Sequence, residues 1–169
     1  MSLVNGLPAH ILLVHFVVVL VPLTALALVV GVIWPKAAQR MGVVLPLLAL
    51  VTLVSVPLTA EAGEWLEGHV DGNALVRRHA ELGDGLLPWA GGLFVLAALV
   101  WWASGRTAAS GAAGRTRRPA APVRVAAAVL SLVVAAGAVV DVYRIGDSGA
   151  KAAWHDGFSK TASGGGGDD

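Results

Sequence analysis

Residues 11–33 read ILLVHFVVVLVPLTALALVVGVI, an apolar stretch whose only ionisable member is His15. An α-helix rises about 1.5 Å per residue, so a stretch of this length crosses a hydrocarbon core of about 30 Å. No Lys or Arg precedes it, and it runs well beyond the apolar core of a signal peptide. We therefore expect a retained transmembrane helix.

Three further apolar segments follow, at residues 43–60, 86–103 and 123–140. Hydrophobic residues make up 56% of the chain and charged residues only 14%, proportions far from those of soluble domains. The sequence predicts an all-α fold, an integral membrane four-helix bundle in one domain over residues 1–148. Its helices are expected at about 9–34, 42–67, 75–104 and 122–146, with a flexible extracytoplasmic tail over 149–169. Two placements stay open for residues 74–85, as an extension of the third helix or along the membrane interface.

The basic residues indicate the orientation of the bundle. The loop after the first helix carries Lys36 and Arg40, and the loop after the third carries four arginines, with Arg124 just inside the fourth helix. These seven of the twelve basic residues share their side of the membrane with no acidic residue. Because Lys and Arg concentrate in cytoplasmic loops, we expect this side to face the cytoplasm. Both termini are then extracytoplasmic, and the chain is a multi-pass protein of the cell membrane.

Every acidic residue and every histidine falls on the opposite side, and several lie within the helices. Counting from the cytoplasmic boundary of each helix places one group of four at a height of ~26–29 Å. That layer contains His15, Glu61, Asp84 and Asp141. A second layer, about one helical turn further out, contains Glu64, His79 and Arg144, with His10 slightly above.

Ionisable residues inside a membrane are costly, so they usually face the bundle interior and pair with one another. We interpret these two layers as a His/carboxylate cluster that gives the chain its function. The chain is then a membrane-anchored binding module whose cluster holds a metal ion or a haem, with electron transfer as its use. As a haem site, His15 and His79 supply the axial imidazoles, with His10 as a further candidate ligand.

As a divalent metal site, imidazole and carboxylate groups from several helices share the ion. The zero cysteine count excludes a thiolate ligand. The candidate metal ligands are His15, His79, Glu61, Glu64, Asp84 and Asp141.

The alternative is a structural or accessory membrane subunit, in which the cluster is a hydrogen-bonded network that fixes helix packing and no cofactor is bound. No catalytic motif is present, so an enzyme is not the favoured interpretation. The expected partners are the lipid bilayer and a redox or other membrane protein, with self-association as a further alternative. Nucleic acid is not expected, because the basic loop over residues 105–122 has no interleaved aromatic residue.

Several short motifs resemble a bacterial family of integral membrane proteins, domain of unknown function 2231. They are GLPAH at 6–10, LVHF at 13–16, AGEWL at 62–66, HAELGD at 79–84 and VYRIGDSGA at 142–150. The family's first motif usually has proline after its histidine and after its phenylalanine, where this chain has Ile11 and Val17. The resemblance covers nearly the whole chain and implies a four-helix membrane fold. It implies no particular activity, although some relatives are joined to Rieske or cytochrome-type modules, which implies a redox setting.

Overall fold

The computed structural model describes residues 3–4, 7–68, 74–112 and 121–154. At its start, β1 (Leu3–Val4) and β2 (Leu7–Pro8) form a two-residue antiparallel ladder that leads into the first helix. The rest of the described chain is helical. The helices are α1 (Ala9–Ile33), α2 (Pro35–Met41), α3 (Val44–Glu67), α4 (Ala74–Asp84), α5 (Leu86–Ala112) and α6 (Ala121–Trp154).

Four helical segments are long and apolar enough to cross a membrane, as the sequence predicts. They are α1, α3, the combined α4 and α5 up to Arg106, and α6. This confirms an all-α integral membrane protein with several spans. The polar backbone groups of each span are satisfied within the helix itself, which is what the hydrocarbon core demands.

Packing among the four spans buries one stripe on each helix and leaves large apolar side chains on the outside. α1 packs against α3 and α6, and α5 packs against α3 and α6. Val21, Leu28, Leu45 and Leu93 are fully buried at the centre. The exposed apolar side chains, such as Phe16, suit contact with lipid.

A short helix replaces the expected first loop. Trp34 interrupts the chain after α1, and Pro35 starts α2 at a position where its missing N–H is no loss. Gly42 ends α2 with φ at +51° and donates its N–H to the Ala38 carbonyl. A left-handed residue after a helix is usually glycine, because a side chain is strained there.

Glycines on one helix receive side chains from the next, which brings the helix axes close together. The ring of Trp89 on α5 lies so close to Gly137 on α6 that an added Cβ would overlap it. An added Cβ on Gly92 would lie 3.0 Å from Val134. The α5–α6 interface therefore depends on the absence of two side chains.

A buried hydroxyl pair joins α1 and α3 in the middle of the bundle. Thr24 Oγ1 and Thr52 Oγ1 lie 2.7 Å apart, and both residues are fully buried. Thr52 Oγ1 also donates to the Leu48 carbonyl at 2.9 Å. Its hydrogen is thereby used, so Thr24 is the donor to Thr52.

Residues 74–84 form α4, which continues into α5 through one turn residue, Gly85. The N–H of Gly85 donates to the Leu82 carbonyl at 3.1 Å, a three-residue bond that tightens the chain at this point. α4 packs mainly against α6. The 34 residues of α6 are about 51 Å long, well over the hydrocarbon thickness, so its C-terminal part and α4 extend beyond the span.

The sequence predicts that the last helix ends near residue 146, whereas α6 continues to Trp154. Alanines follow the expected end, and Lys151 pairs with Asp147 one turn earlier at 2.6 Å. Both features favour a helix. The part of the expected tail over residues 155–169 lies outside the described residues.

The two ends of the bundle differ in the residues that they carry. The histidine end comprises the first turns of α1, the last turns of α3, all of α4 and the last turns of α6. The basic end carries Lys36, Arg40 and Arg106, all exposed. There the Arg106 guanidinium lies 3.6 Å from the ring centroid of Trp102.

Candidate functional site at the histidine end

His10 links the start of α1 to the last turns of α3. Its Nδ1 lies 2.9 Å from the carbonyl oxygen of Thr59. A carbonyl oxygen only accepts, so Nδ1 carries the hydrogen and donates it. The same edge of the ring lies over Gly63, where an added Cβ would approach Nδ1 and Cε1 to 3.0 Å.

His79 links α4 to the last turns of α6 in the same manner. Its Nδ1–H points to the Ile145 carbonyl at 3.1 Å and to the Ser148 hydroxyl oxygen at 3.0 Å. Ser148 Oγ in turn donates to the Ile145 carbonyl at 2.8 Å. The ring lies over Gly149, where an added Cβ would meet Cε1 at 2.9 Å.

We call the accepting carbonyl and the glycine that contact each imidazole a histidine seat, and the two seats have the same geometry. In each, the accepting carbonyl belongs to the residue four positions before the glycine, Thr59 before Gly63 and Ile145 before Gly149. Glycine exposes the helix backbone at that point, because it has no Cβ to cover the carbonyl one turn earlier. An imidazole from a neighbouring helix can then reach an oxygen that is otherwise hidden inside the helix.

The two imidazoles also contact each other. Their ring centroids lie 6.2 Å apart, and the ring planes are nearly perpendicular, at 85°. Both Nδ1 atoms are engaged as donors, and the Nε2 atom of a ring protonated at Nδ1 carries a lone pair that can accept a proton or bind a metal ion. Four helices, α1, α3, α4 and α6, therefore meet at one pair of side chains.

His15 lies elsewhere on α1. Its side chain is exposed, and its Nδ1–H donates to the Ile11 carbonyl of its own helix at 2.6 Å. The buried stripe of α1 passes through Val17 and Val21. His10 precedes Val17 by seven residues, two helical turns, and shares that face, whereas His15 precedes it by two and points about 160° away.

The carboxylates do not converge with the imidazoles. Glu61, Glu64 and Asp84 are exposed at the histidine end. Among the residues that the structure describes, no group of three or more His, Asp and Glu side chains is placed to hold a metal ion. The structure thus brings together His10 and His79, and leaves His15, Glu61, Glu64 and Asp84 on the outside.

Asp141 is the one carboxylate of the expected cluster that is partly buried. It lies on α6 one turn before Ile145, and its Oδ2 lies 3.7 Å from the position that a Cβ on Gly85 would occupy. Oδ2 is shielded from solvent and has no hydrogen-bond partner within the described ranges. The carboxylate therefore lies against the α4–α5 junction.

Reasoning from the sequence missed the residues that receive the imidazoles, namely Thr59, Gly63, Ile145, Ser148 and Gly149. The two glycines could have been found by their height in the membrane, which is similar to that of a histidine on another helix. Glu64 and Arg144 belong to the outer layer, which also contains His79. Gly63 lies next to Glu64, and Gly149 follows Arg144 by little more than one turn.

The short motifs quoted from the sequence contain both histidines and both glycines of this site. The model of the family DUF2231, described as predicted membrane protein, matches residues 6–162, almost the whole chain. The chain belongs to this family. The matched region includes both histidine seats and all four membrane spans, so the candidate site lies within the DUF2231 domain.

No curated protein and no solved structure matches the chain significantly. Membership of DUF2231 states the membrane location and carries no reaction, ligand or partner. The function of the histidine end has to be argued from its own geometry.

Proposed function

We propose that the chain is an accessory membrane subunit that binds no cofactor. Its histidine end is a rigid platform, held in place by the packing of the helices. The observation that carries this proposal is the pair of imidazole-to-carbonyl hydrogen bonds, at 2.9 Å from His10 and 3.1 Å from His79. Each bond joins two different helices at a glycine. Side-chain hydrogen bonds and close approach at glycine are the means by which membrane helices fix their positions.

The platform presents carboxylates to its surroundings. Glu61 and Glu64 are exposed on α3, which carries no basic residue, whereas the exposed carboxylates of α4 are accompanied by the exposed Arg77 and Arg78. If basic loops face the cytoplasm, these carboxylates lie at the extracytoplasmic surface. A partner with a basic surface there would be guided by charge, and its binding would weaken at high salt.

A carbodiimide cross-linking experiment tests the platform, because this reagent joins carboxylates to lysines at contact distance. The tagged chain in its native membrane should give a cross-linked species, and the Glu61→Gln/Glu64→Gln double variant should lose it. Asp147→Asn is the matched control, because the Asp147 carboxylate is already paired with Lys151 on its own helix. A cross-link that persists in the double variant, or none in the wild type, contradicts the proposal.

A two-histidine metal or haem site is the second candidate, and one observation favours it. Metal-binding histidines usually donate their other ring N–H to a carbonyl, as His10 and His79 both do. Such a site would use both Nε2 atoms and would serve electron transfer if it held haem.

An optical spectrum of the purified protein, oxidised and reduced, with elemental analysis of the same sample, separates the two candidates. A Soret band or one metal ion per chain, lost in His10→Ala and in His79→Ala but kept in His15→Ala, would establish the second. Protein free of haem and metal that retains its fold supports the packing role.

A further inference from the structure

An open groove lies on the surface of the bundle between α1 and the C-terminal half of α6. Its volume is about 440 Å³, within the size range of small-ligand sites. The α1 wall is formed by Val18 and Pro22. The α6 wall is formed by Val139, Val142, Tyr143, Gly146 and Asp147.

Because the groove lies on the surface of a membrane-spanning bundle, we expect its occupant to come from the lipid phase. Its wall is apolar from Val139 to Gly146, and Val18, Val139 and Tyr143 are exposed along it. From Val139 to Asp147 it extends about 12 Å along α6, toward the histidine end. In a membrane the molecules beside such a surface are lipid chains, which fill an apolar concavity without losing any hydration.

The mouth of the groove carries one charge of each sign. Asp147 lines the groove, and its Oδ2 accepts a hydrogen bond from Lys151 Nζ at 2.6 Å. Both side chains remain largely exposed, at 48% and 66%. A neutral pair of opposite charges complements a headgroup that itself carries a phosphate and an ammonium group.

We propose that this groove binds one zwitterionic aminophospholipid of the leaflet at the histidine end. An acyl chain lies between Val18 and Val139, the ammonium group meets Asp147 and the phosphate meets Lys151. The inference does not depend on the role of the histidines, because no histidine in the part of the chain that the structure describes lines the groove.

Gly146 offers a clean way to fill the groove. A Cβ added there would have no atom within 4 Å, and Gly146 lines the groove, so we expect a larger side chain at this position to occupy groove space. Gly91 on α5 has the same open surroundings and does not line the groove. Gly146→Phe and Gly91→Phe therefore form a matched pair, because both make the same substitution and only the first lies in the groove.

The test is native mass spectrometry of the full chain released from membranes of defined phosphatidylethanolamine and phosphatidylglycerol content. The wild type and Gly91→Phe should each keep one phosphatidylethanolamine, and Gly146→Phe should reduce that retention on the order of tenfold, about 1.4 kcal/mol. Val18→Trp, which fills the groove from the α1 wall, is the second variant, and thermal unfolding curves check that each variant folds.

Three results would overturn the proposal. Equal retention by Gly146→Phe and Gly91→Phe means that the lipid lies elsewhere. Equal retention of phosphatidylethanolamine and phosphatidylglycerol removes the role of the Asp147–Lys151 pair. A dimer of the chain that Gly146→Phe dissociates would show that a second copy, and not a lipid, occupies the groove.

Discussion

At the residue scale, the histidine end depends on the absence of a side chain at Gly63 and at Gly149. Each imidazole bonds a helix carbonyl that a side chain one turn later would cover. The cost of a buried donor without an acceptor is about 1–3 kcal/mol, comparable with the gain from several ordinary contacts. Small substitutions at these two glycines are therefore informative.

Gly63→Ala and Gly149→Ala should each destabilise the protein, because the new Cβ would meet an imidazole at 3.0 Å and 2.9 Å. The ring must move, and its hydrogen bond lengthens or breaks. We expect a loss of about 1–2 kcal/mol in the free energy of unfolding. Thermal unfolding in detergent measures it as a Tm lower by about 3–6 °C.

Gly91→Ala is the control for this pair, since its Cβ enters open space. Alanine is favoured over glycine within a helix by about 0.5–1 kcal/mol, so this variant should be unchanged or slightly more stable. A Gly63→Ala protein as stable as Gly91→Ala would show that the seat of His10 is not tight.

Counting residues along the helices predicts that His10 and His79 lie near one height, and their two rings are in contact. The side of its helix to which each ionisable residue points could not be predicted in this way. Which side of α1 faces inward was hidden, because α1 is apolar all round and shows no polar face. His15 and His10 are therefore equally plausible members of a cluster on the sequence alone, and only packing separates them.

At the element scale, pairs of helices are held by contacts that act together. Trp89 of α5 and Gly137 of α6 form the tightest of the described glycine contacts, and Thr24 with Thr52 joins α1 to α3. Both pairs lie within the apolar part of the bundle. Double-mutant cycles measure how far the members of each pair depend on each other.

Gly137→Ala should disrupt the α5–α6 interface more than Gly63→Ala or Gly149→Ala, because its Cβ would overlap the Trp89 ring. Overpacking of this kind costs about 1–3 kcal/mol. In the Trp89→Leu background the same substitution should cost much less, since the ring is gone. Equal losses in the two backgrounds would place the strain elsewhere.

The Thr24–Thr52 hydrogen bond should show a modest coupling energy. Hydrogen bonds between membrane helices average about 0.6 kcal/mol in such cycles, because the hydroxyl finds other partners when one is removed. Thr52→Val should cost more than Thr24→Val, since it deprives Thr24 of its acceptor. Unfolding curves of the two single variants and the double variant provide the measurement, and strictly additive losses would deny the coupling.

The element boundaries were predictable where apolar composition decides them and less so elsewhere. The first two spans lie within a few residues of their expected limits, because charged or turn residues flank both. The break at Gly85 and the extension of α6 to Trp154 depend on α4 and α6 packing against each other outside the apolar segments. Hydropathy carries no information about that contact.

At the scale of the whole molecule, the exposed Glu61 and Glu64 lie at the histidine end, and the exposed Lys36, Arg40 and Arg106 lie at the basic end. The positive-inside rule then predicts an extracytoplasmic histidine end. Because the chain has no cysteine, single cysteines can be introduced as unique labels. Glu64→Cys should react with a membrane-impermeant maleimide in intact cells, and Gln39→Cys on α2 should react only after lysis; the reverse pattern would invert the topology.

The central claim is that His10 and His79, and not His15, hold the histidine end together. Thermal unfolding of His10→Ala, His79→Ala and His15→Ala, each purified without haem or metal, tests it most directly. The first two variants should melt about 3–6 °C below the wild type, because each removes a hydrogen bond between helices and leaves a gap over a glycine. His15→Ala should match the wild type, since His15 bonds only to its own helix among the contacts described. Equal melting temperatures for all three variants would contradict the account.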